Sequence, residues 1–335
     1  MTTTMPPLPP DSKEMAREFL RGHNWTSGLI ETYIKNLDLI THRFFILDDS
    51  GSMLTSDGSS AAIGADGSGR KISCTRWVEM GESIKFHAEL ADIAKAPSEF
   101  IFLNATKSYI VGKEEDDGVA KNALIDVLDG SPGGATPLCQ TISNLVQKIK
   151  QMEKKLRDNN ERVSVTIFSD GSPSDGNLAP VLNQLHALPV WCVVRLCTDN
   201  DNVTNYYNGI DAQIELEMDV IDDFFGEATE VMSHNPWINY GLPVHRLREN
   251  GCRAKVFDHL DEKPLTKTEI TAAMPILIGG KKNEYTNMEL DPVAFKREVS
   301  SKLPSEPLMF NAKTFTILPI VNINRLGGGG CCVIS

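Results

Sequence analysis

The tetrapeptide Phe44-Phe45-Ile46-Leu47, unbroken by any polar residue and closed by Asp48, constrains the fold of this chain more than any other feature. A strand with one wet face alternates apolar and polar residues, whereas a continuous apolar run marks a strand buried on both faces. Phe100-Ile101-Phe102-Leu103 repeats the pattern, and residues 109–111, 163–168 and 190–196 read as further strands. Between them lie helical spacings. Trp77, Met80, Ile84, Ala88 and Ala91 recur along residues 74–95, residues 120–128 continue the period, and Leu138, Ile142, Leu145, Ile149, Met152 and Leu156 form one stripe. Strands that alternate with helices predict an α/β fold, with a mostly parallel central sheet flanked by helices on both faces.

The 335 residues, 41% of them hydrophobic, suffice for a large core with extensions. Residues 1–10, rich in Thr and Pro, read as a flexible arm. Residues 11–240 are expected to form the main domain with an N-terminal helical extension. Asp11 would cap a first helix there, and Leu29, Ile30, Tyr33 and Ile34 mark a second. Residues 241–326 carry Pro264, Pro275, Pro292, Pro304, Pro307 and Pro319, which points to an irregular C-terminal extension packed on the main domain. Residues 55–70, rich in Gly and Ser, read as a mobile surface loop. Seven acids between Glu215 and Glu230 read as a solvated helix face, since they lack the spacing of a calcium loop.

The formal charge of −12, from 45 acidic and 33 basic residues, excludes a general nucleic-acid surface and a broad attraction to anionic lipid. No apolar run spans a bilayer, and the first residues lack a secretory signal pattern. Seven cysteines without paired metal-ligand spacing fit reduced thiols in a cytoplasmic compartment. The ending Cys332-Val333-Ile334-Ser335 has the form of a prenylation signal for a farnesyl group on Cys332. One prenyl chain binds membrane only marginally, and nearby basic residues are sparse, so Cys331 is the expected palmitoylation site. Residues 327–335, opened by four glycines, would then be a flexible lipid-anchor tail, making the protein peripheral to the cytosolic membrane leaflet.

The chemical signal follows the first strand. In Asp48-Asp49-Ser50-Gly51-Ser52, a carboxylate and two hydroxyls alternate across a turn and can converge on a hard cation such as Mg²⁺. Gly133-Gly134-Ala135-Thr136-Pro137 precedes the long helix, and Asp170-Gly171-Ser172-Pro173 follows the strand at 163–168. Both belong where ligands gather, outside the carboxyl ends of parallel strands.

With these three motifs in this order, residues 40–200 strongly resemble the von Willebrand factor A (VWA) family and its metal-ion-dependent adhesion site. The resemblance implies a Rossmann-like three-layer VWA fold, with a sheet of about six strands and a divalent ion at its top. It assigns Asp48, Ser50, Ser52, Thr136 and Asp170 to the metal, which would be Mg²⁺ with Mn²⁺ or Ca²⁺ as alternatives. The implied function is binding of a protein partner that offers an exposed Asp or Glu, without catalysis. Asp49 lies outside the family's pattern and reads as a surface or supporting residue.

Other readings compete. Hydroxyls of this kind also cap turns and helices, and Thr136 before Pro137 suits a helix start. A metal-dependent hydrolase is the alternative function, although Ser50 stands where aspartate-based phosphatases carry a second carboxylate, and no H-E-x-x-H, P-loop or G-x-S-x-G motif occurs. A third reading keeps the ion purely structural. His87 and His186 read as packing or solvent residues. Trp237, Tyr240, His245 and Arg246 read as packing rather than a surface patch, and Cys197 is expected near the surface.

Overall fold

The computed structural model describes residues 10–64, 69–116, 118–198, 200–211, 214, 218–252, 254–281 and 283–326. The expected arm, apart from Pro10, and the whole 327–335 tail with Cys331 and Cys332 lie outside the described residues. Helices α1 (Pro10–Gly22) and α2 (Ser27–Leu39) lead into β1 (Ile40–Leu47). A 3-10 turn at Gly51–Leu54 precedes the hairpin β2 (Gly58–Ile63) and β3 (Gly69–Cys74). Next come α3 (Arg76–Ala94), β4 (Ser98–Phe102), β5 (Tyr109–Val111), α4 (Val119–Leu128), α5 (Leu138–Asp158) and β6 (Arg162–Ser169). Then follow α6 (Leu178–His186), β7 (Val190–Leu196), α7 (Asp201–Asp211) and β8 (Met218–Ile221). The last part holds α8 (Phe224–His234), α9 (Leu242–Glu249), α10 (Lys255–Asp258), α11 (Lys267–Ile278), α12 (Pro292–Lys302) and the pair β9 (Met309–Asn311) and β10 (Thr316–Leu318).

Among the described residues, the central sheet has the order β5-β4-β1-β6-β7-β8. All its pairings are parallel except β4 with β5. The expected α/β fold is therefore present. Successive residues of β1 divide between its two faces, as the pleat requires. Phe44 and Ile46 join Val163, Val165 and Ile167 under α5 and α6, while Phe45 and Leu47 join Phe100, Phe102 and Phe168 under α3 and α4. Phe45 and Phe100 stack with centroids 4.9 Å apart, an arrangement worth about 0.5–1.5 kcal/mol beyond area burial. The chain crosses from β1 to β4 on one side and back to β6 on the other, so the strand order reverses beside β1. That reversal opens a crevice at the carboxyl ends of β1 and β6.

A second body packs against the α3 side. Helices α1, α2, α8, α9, α11 and α12 share one apolar core with Phe310 of β9 and with Leu90 and Ala94 of α3. Gly28 lets α2 touch the end of α11: a Cβ there would run into the backbone of Ile276 and Gly279. The segment after Tyr240 is thus more regular than its prolines suggest, because Pro243 and Pro292 occupy first-turn positions of α9 and α12, where the missing N–H costs nothing. Among the described residues, no helix is long and apolar enough to cross a membrane.

Two expectations are corrected here. Residues 58–63 and 69–74, expected within or beside a loop, pair as an antiparallel hairpin. Its strands carry little apolar period: β2 lies against α3, with Ala61 reaching the second body's core, while β3 is mostly exposed, with Phe310 packed on Gly69. The described acids of 218–230 do not form a solvated face either, because Asp219, Asp223 and Glu227 are buried, while Glu215 and Glu217 lie outside the described residues. Their compensation comes from the capping of α8 by Asp223 and from Arg248 on α9, which local sequence does not display.

Candidate metal centre

The crevice places Asp48 directly after β1 and Asp170 directly after β6, and the register that pairs Leu47 with Phe168 brings the two strand ends together. Asp48 N donates to Phe168 O at 2.9 Å, which extends the ladder one step into the site. The Asp48 carboxylate is fully buried. Its Oδ1 accepts from Ser50 N at 3.0 Å, and its Oδ2 accepts from the Ser169 hydroxyl at 2.8 Å. Burial pushes its pKa up, against the opposing effect of those hydrogen bonds. The 3-10 turn then swings Ser50 and Ser52 to one side. Their hydroxyl oxygens lie 3.0 Å apart, and Ser52 Oγ donates to Asp170 Oδ1 at 2.9 Å.

These spacings bear on whether the residues suit a hard cation. An octahedral ion with metal–oxygen bonds of 2.0–2.1 Å has adjacent ligand oxygens about 2.9 Å apart. The Ser50–Ser52 and Ser52–Asp170 separations are those of hydrogen bonds and are also close enough to form edges of such a shell, and the donor set is all oxygen, as Mg²⁺ requires. Among the described residues no group of three or more His, Cys, Asp or Glu is disposed to hold a metal. Any ion here would therefore depend on hydroxyl oxygens as well as carboxylates.

The structure brings Asp48, Ser50, Ser52 and Asp170 into one hydrogen-bonded cluster. Thr136 differs: its loop reaches the cluster, but its hydroxyl makes no hydrogen bond to these four residues. Gly51 N donates to Gly134 O at 3.2 Å, and Gly133 N donates to Asp49 O at 2.7 Å. Asp49 also earns its place through Asn104, whose side-chain amide donates to Asp49 Oδ1 and Ala135 O, both at 2.9 Å. Gly134 is needed at that contact. Its φ is +119°, and a Cβ would meet Asn104 Oδ1 at 2.5 Å. Capping of α5 falls to Asp175, which accepts from Cys139 N and Gln140 N at 3.0 and 2.8 Å. The capping role considered for Thr136 is thereby taken over, leaving its hydroxyl uncommitted to the helix.

Sequence reasoning missed Arg76, the first residue of α3. Its Nη1 donates to Asp170 Oδ2 at 2.8 Å, while Nε and Nη2 grip Asp57 Oδ1 and Oδ2 at 2.7 and 2.5 Å. The bond to Asp57 is the main force raising the guanidinium's already high pKa, and it lowers that of Asp57 in return. A cation at a helix N-terminus opposes the helix dipole by about 0.3–1 kcal/mol. That misfit was the one local signal that Arg76 answers to something else. Cys197, expected near the surface, is fully buried under the site, and burial pushes its thiol pKa up. Trp237, Tyr240 and His245 are buried packing residues, and Arg246 is largely covered.

No protein-family model and no curated protein matches this chain. Among solved structures, it aligns with the conserved hypothetical protein BatB from Bacteroides thetaiotaomicron at 13% identity and a TM-score of 0.32, covering 47% of this chain and 66% of that one. It also aligns with the SpRpn10 VWA domain at 10% identity and a TM-score of 0.35, covering 55% of this chain and 89% of that domain. Likeness this distant transfers no residue role and no activity, so the centre rests on its own geometry.

Proposed function

We propose that this protein is an intracellular interaction module that binds the exposed Asp or Glu of a protein partner through a divalent cation, in the manner of the VWA family its motifs resemble. The observation that carries this reading is the convergence of Asp48, Ser50, Ser52 and Asp170 in one oxygen-only cluster at the carboxyl ends of β1 and β6. Asp48, Ser50, Ser52, Thr136 and Asp170 would hold the ion, with Mg²⁺ preferred and Mn²⁺ or Ca²⁺ as substitutes. When bound, the ion supplies a positive centre with room for a carboxylate from outside. The chain's own residues do the rest. Ser169 and Ser50 N orient Asp48, and Asn104 with Asp49 holds the Thr136 loop at the rim.

Calorimetric titration with Mg²⁺ tests the centre: the unaltered chain should bind one ion, and Asp48→Ala should bind none. A pull-down from detergent-solubilised membranes should then lose the same partner on chelation and on Asp48→Ala. Retention under both treatments would sink metal-mediated recognition. Turnover of a phosphate ester that needs metal and vanishes in Asp170→Ala would establish the hydrolase instead.

The second element of the proposal is a lipid tether at Cys332, supported by the ending Cys332-Val333-Ile334-Ser335 and strengthened by palmitoylation of Cys331. Cys332→Ser should move the protein from the membrane to the soluble fraction on flotation, and Cys331→Ser should weaken attachment. Unchanged flotation of Cys332→Ser would refute the tether.

A further inference from the structure

The placement of Arg76 carries an inference that rests on the metal reading and deepens it. Three acids, Asp48, Asp57 and Asp170, meet at this rim, and among the described residues Arg76 is the one cation bonded into the group. Its position is fixed from two directions. The base of the hairpin pairs Gly58 with Cys74, which sets Asp57 and Arg76 side by side. Arg76 N donates to Thr55 O at 3.1 Å, tying the start of α3 to the end of the turn that carries Ser52. The Arg76 side chain is 12% exposed and that of Asp170 almost wholly covered, so this contact is largely withdrawn from water.

The two oxygens of Asp170 are divided between two demands. Oδ1 faces Ser52 and the oxygen cluster, whereas Oδ2 faces the guanidinium. A divalent ion at Oδ1 therefore shares its carboxylate with a fixed positive charge on the far side. We propose that Arg76 sets the affinity of the centre by acting as a built-in counter-cation on Asp170. It keeps the divalent ion weakly held until a partner carboxylate adds a further negative ligand. Metal and partner then bind cooperatively, because each supplies the charge that the other lacks. Arg76 is in this sense a tuning residue: it need not touch the ion, and it acts through the carboxylate they share.

The test is calorimetric titration of the full chain with Mg²⁺, comparing Arg76→Gln and Arg76→Lys with the unaltered protein. Removing the charge should tighten Mg²⁺ binding by about tenfold or more, whereas the lysine, which keeps it, should stay within about threefold of the original. Should Arg76→Gln fail to fold, Arg76→Met keeps the aliphatic stem and serves as the neutral variant, with circular dichroism confirming its fold. A merely structural role for Arg76 predicts the opposite sign, since a loosened rim would hold the ion less well. Unchanged or weaker binding in the neutral variants, with Asp48→Ala still abolishing binding in the parent, would overturn the role of Arg76 and leave the metal centre standing. Absence of Mg²⁺ binding in the parent and every variant would overturn both.

Discussion

Two acid-rich clusters lie on this sheet, one at its rim and one beneath the second body, and they treat their carboxylates differently. In the interior, Glu249 of α9 accepts from Ser83 Oγ at 2.7 Å, His87 Nε2 at 3.0 Å and Arg246 at 2.7 Å. Arg195 of β7 lies against both Glu249 and Glu79, and Arg248 bridges Asp219 and Glu227. Each of these buried acids has a guanidinium partner. Burial works against ionisation of Glu249, yet Arg246 and His245 override it and hold the carboxyl well below its usual range. At the rim, Asp48 is just as buried but has hydrogen bonds and, among the described residues, no salt bridge. The interior acids each reach a guanidinium, although burial still pushes Glu79 and Glu227 up in pKa; among the described residues Asp48 reaches none, so an added cation would meet an unpaired carboxylate at the rim.

That contrast can be broken most directly at Arg248. Arg248→Met leaves Asp219 and Glu227 buried without their cation, and the expected loss is about 3–5 kcal/mol in urea-induced unfolding. A loss near zero would mean that the interior pairs are no better compensated than the rim. The next effect concerns pH. Burial lowers the pKa of His245 from 6.5 to about 4. Between those values the unfolded chain binds a proton that the folded chain refuses, so stability rises with pH across the window and falls as pH drops toward 4. This one histidine contributes a slope of at most about 1.4 kcal/mol per pH unit. His245→Gln should flatten the measured curve, and an unaltered slope would remove His245 from the account. The smallest effect belongs to the rim. With chelator present, Asp48→Asn should change stability by about 1 kcal/mol or less, since it removes a buried charge that nothing neutralises. A loss as large as that at Arg248 would erase the distinction.

How far the sequence reveals these regions follows from the range of the interactions involved. The strands of the main sheet are legible because burial on both faces writes a continuous apolar run, as at Phe44 to Leu47. β8 is not, since Asp219 interrupts it and the arginine that makes Asp219 tolerable stands on α9. Asp48, Ser50 and Ser52 are legible as a group because one turn holds them. Asp170 joins them in the structure through the register of β1 with β6. Arg76 and Asp57 meet only through a hairpin whose small residues carry no strand signal, and the Thr136 loop is held at the rim by Asn104, a partner 31 residues from Ala135 that local sequence does not display.

The same hairpin has a mechanical consequence. One end of it fixes Asp57 beside Arg76, and at the other Gly69 N donates to Phe315 O at 2.9 Å while Lys71 lies over the Phe225 ring. Its strands are paired along their whole length, so it behaves as a short rod rather than a slack connection. The rod runs from the oxygen cluster to the segment beside β9 and β10. The position of Arg76 against Asp170 is therefore tied, through one continuously paired element, to the packing of Phe310 and Phe315 at the hairpin's other end.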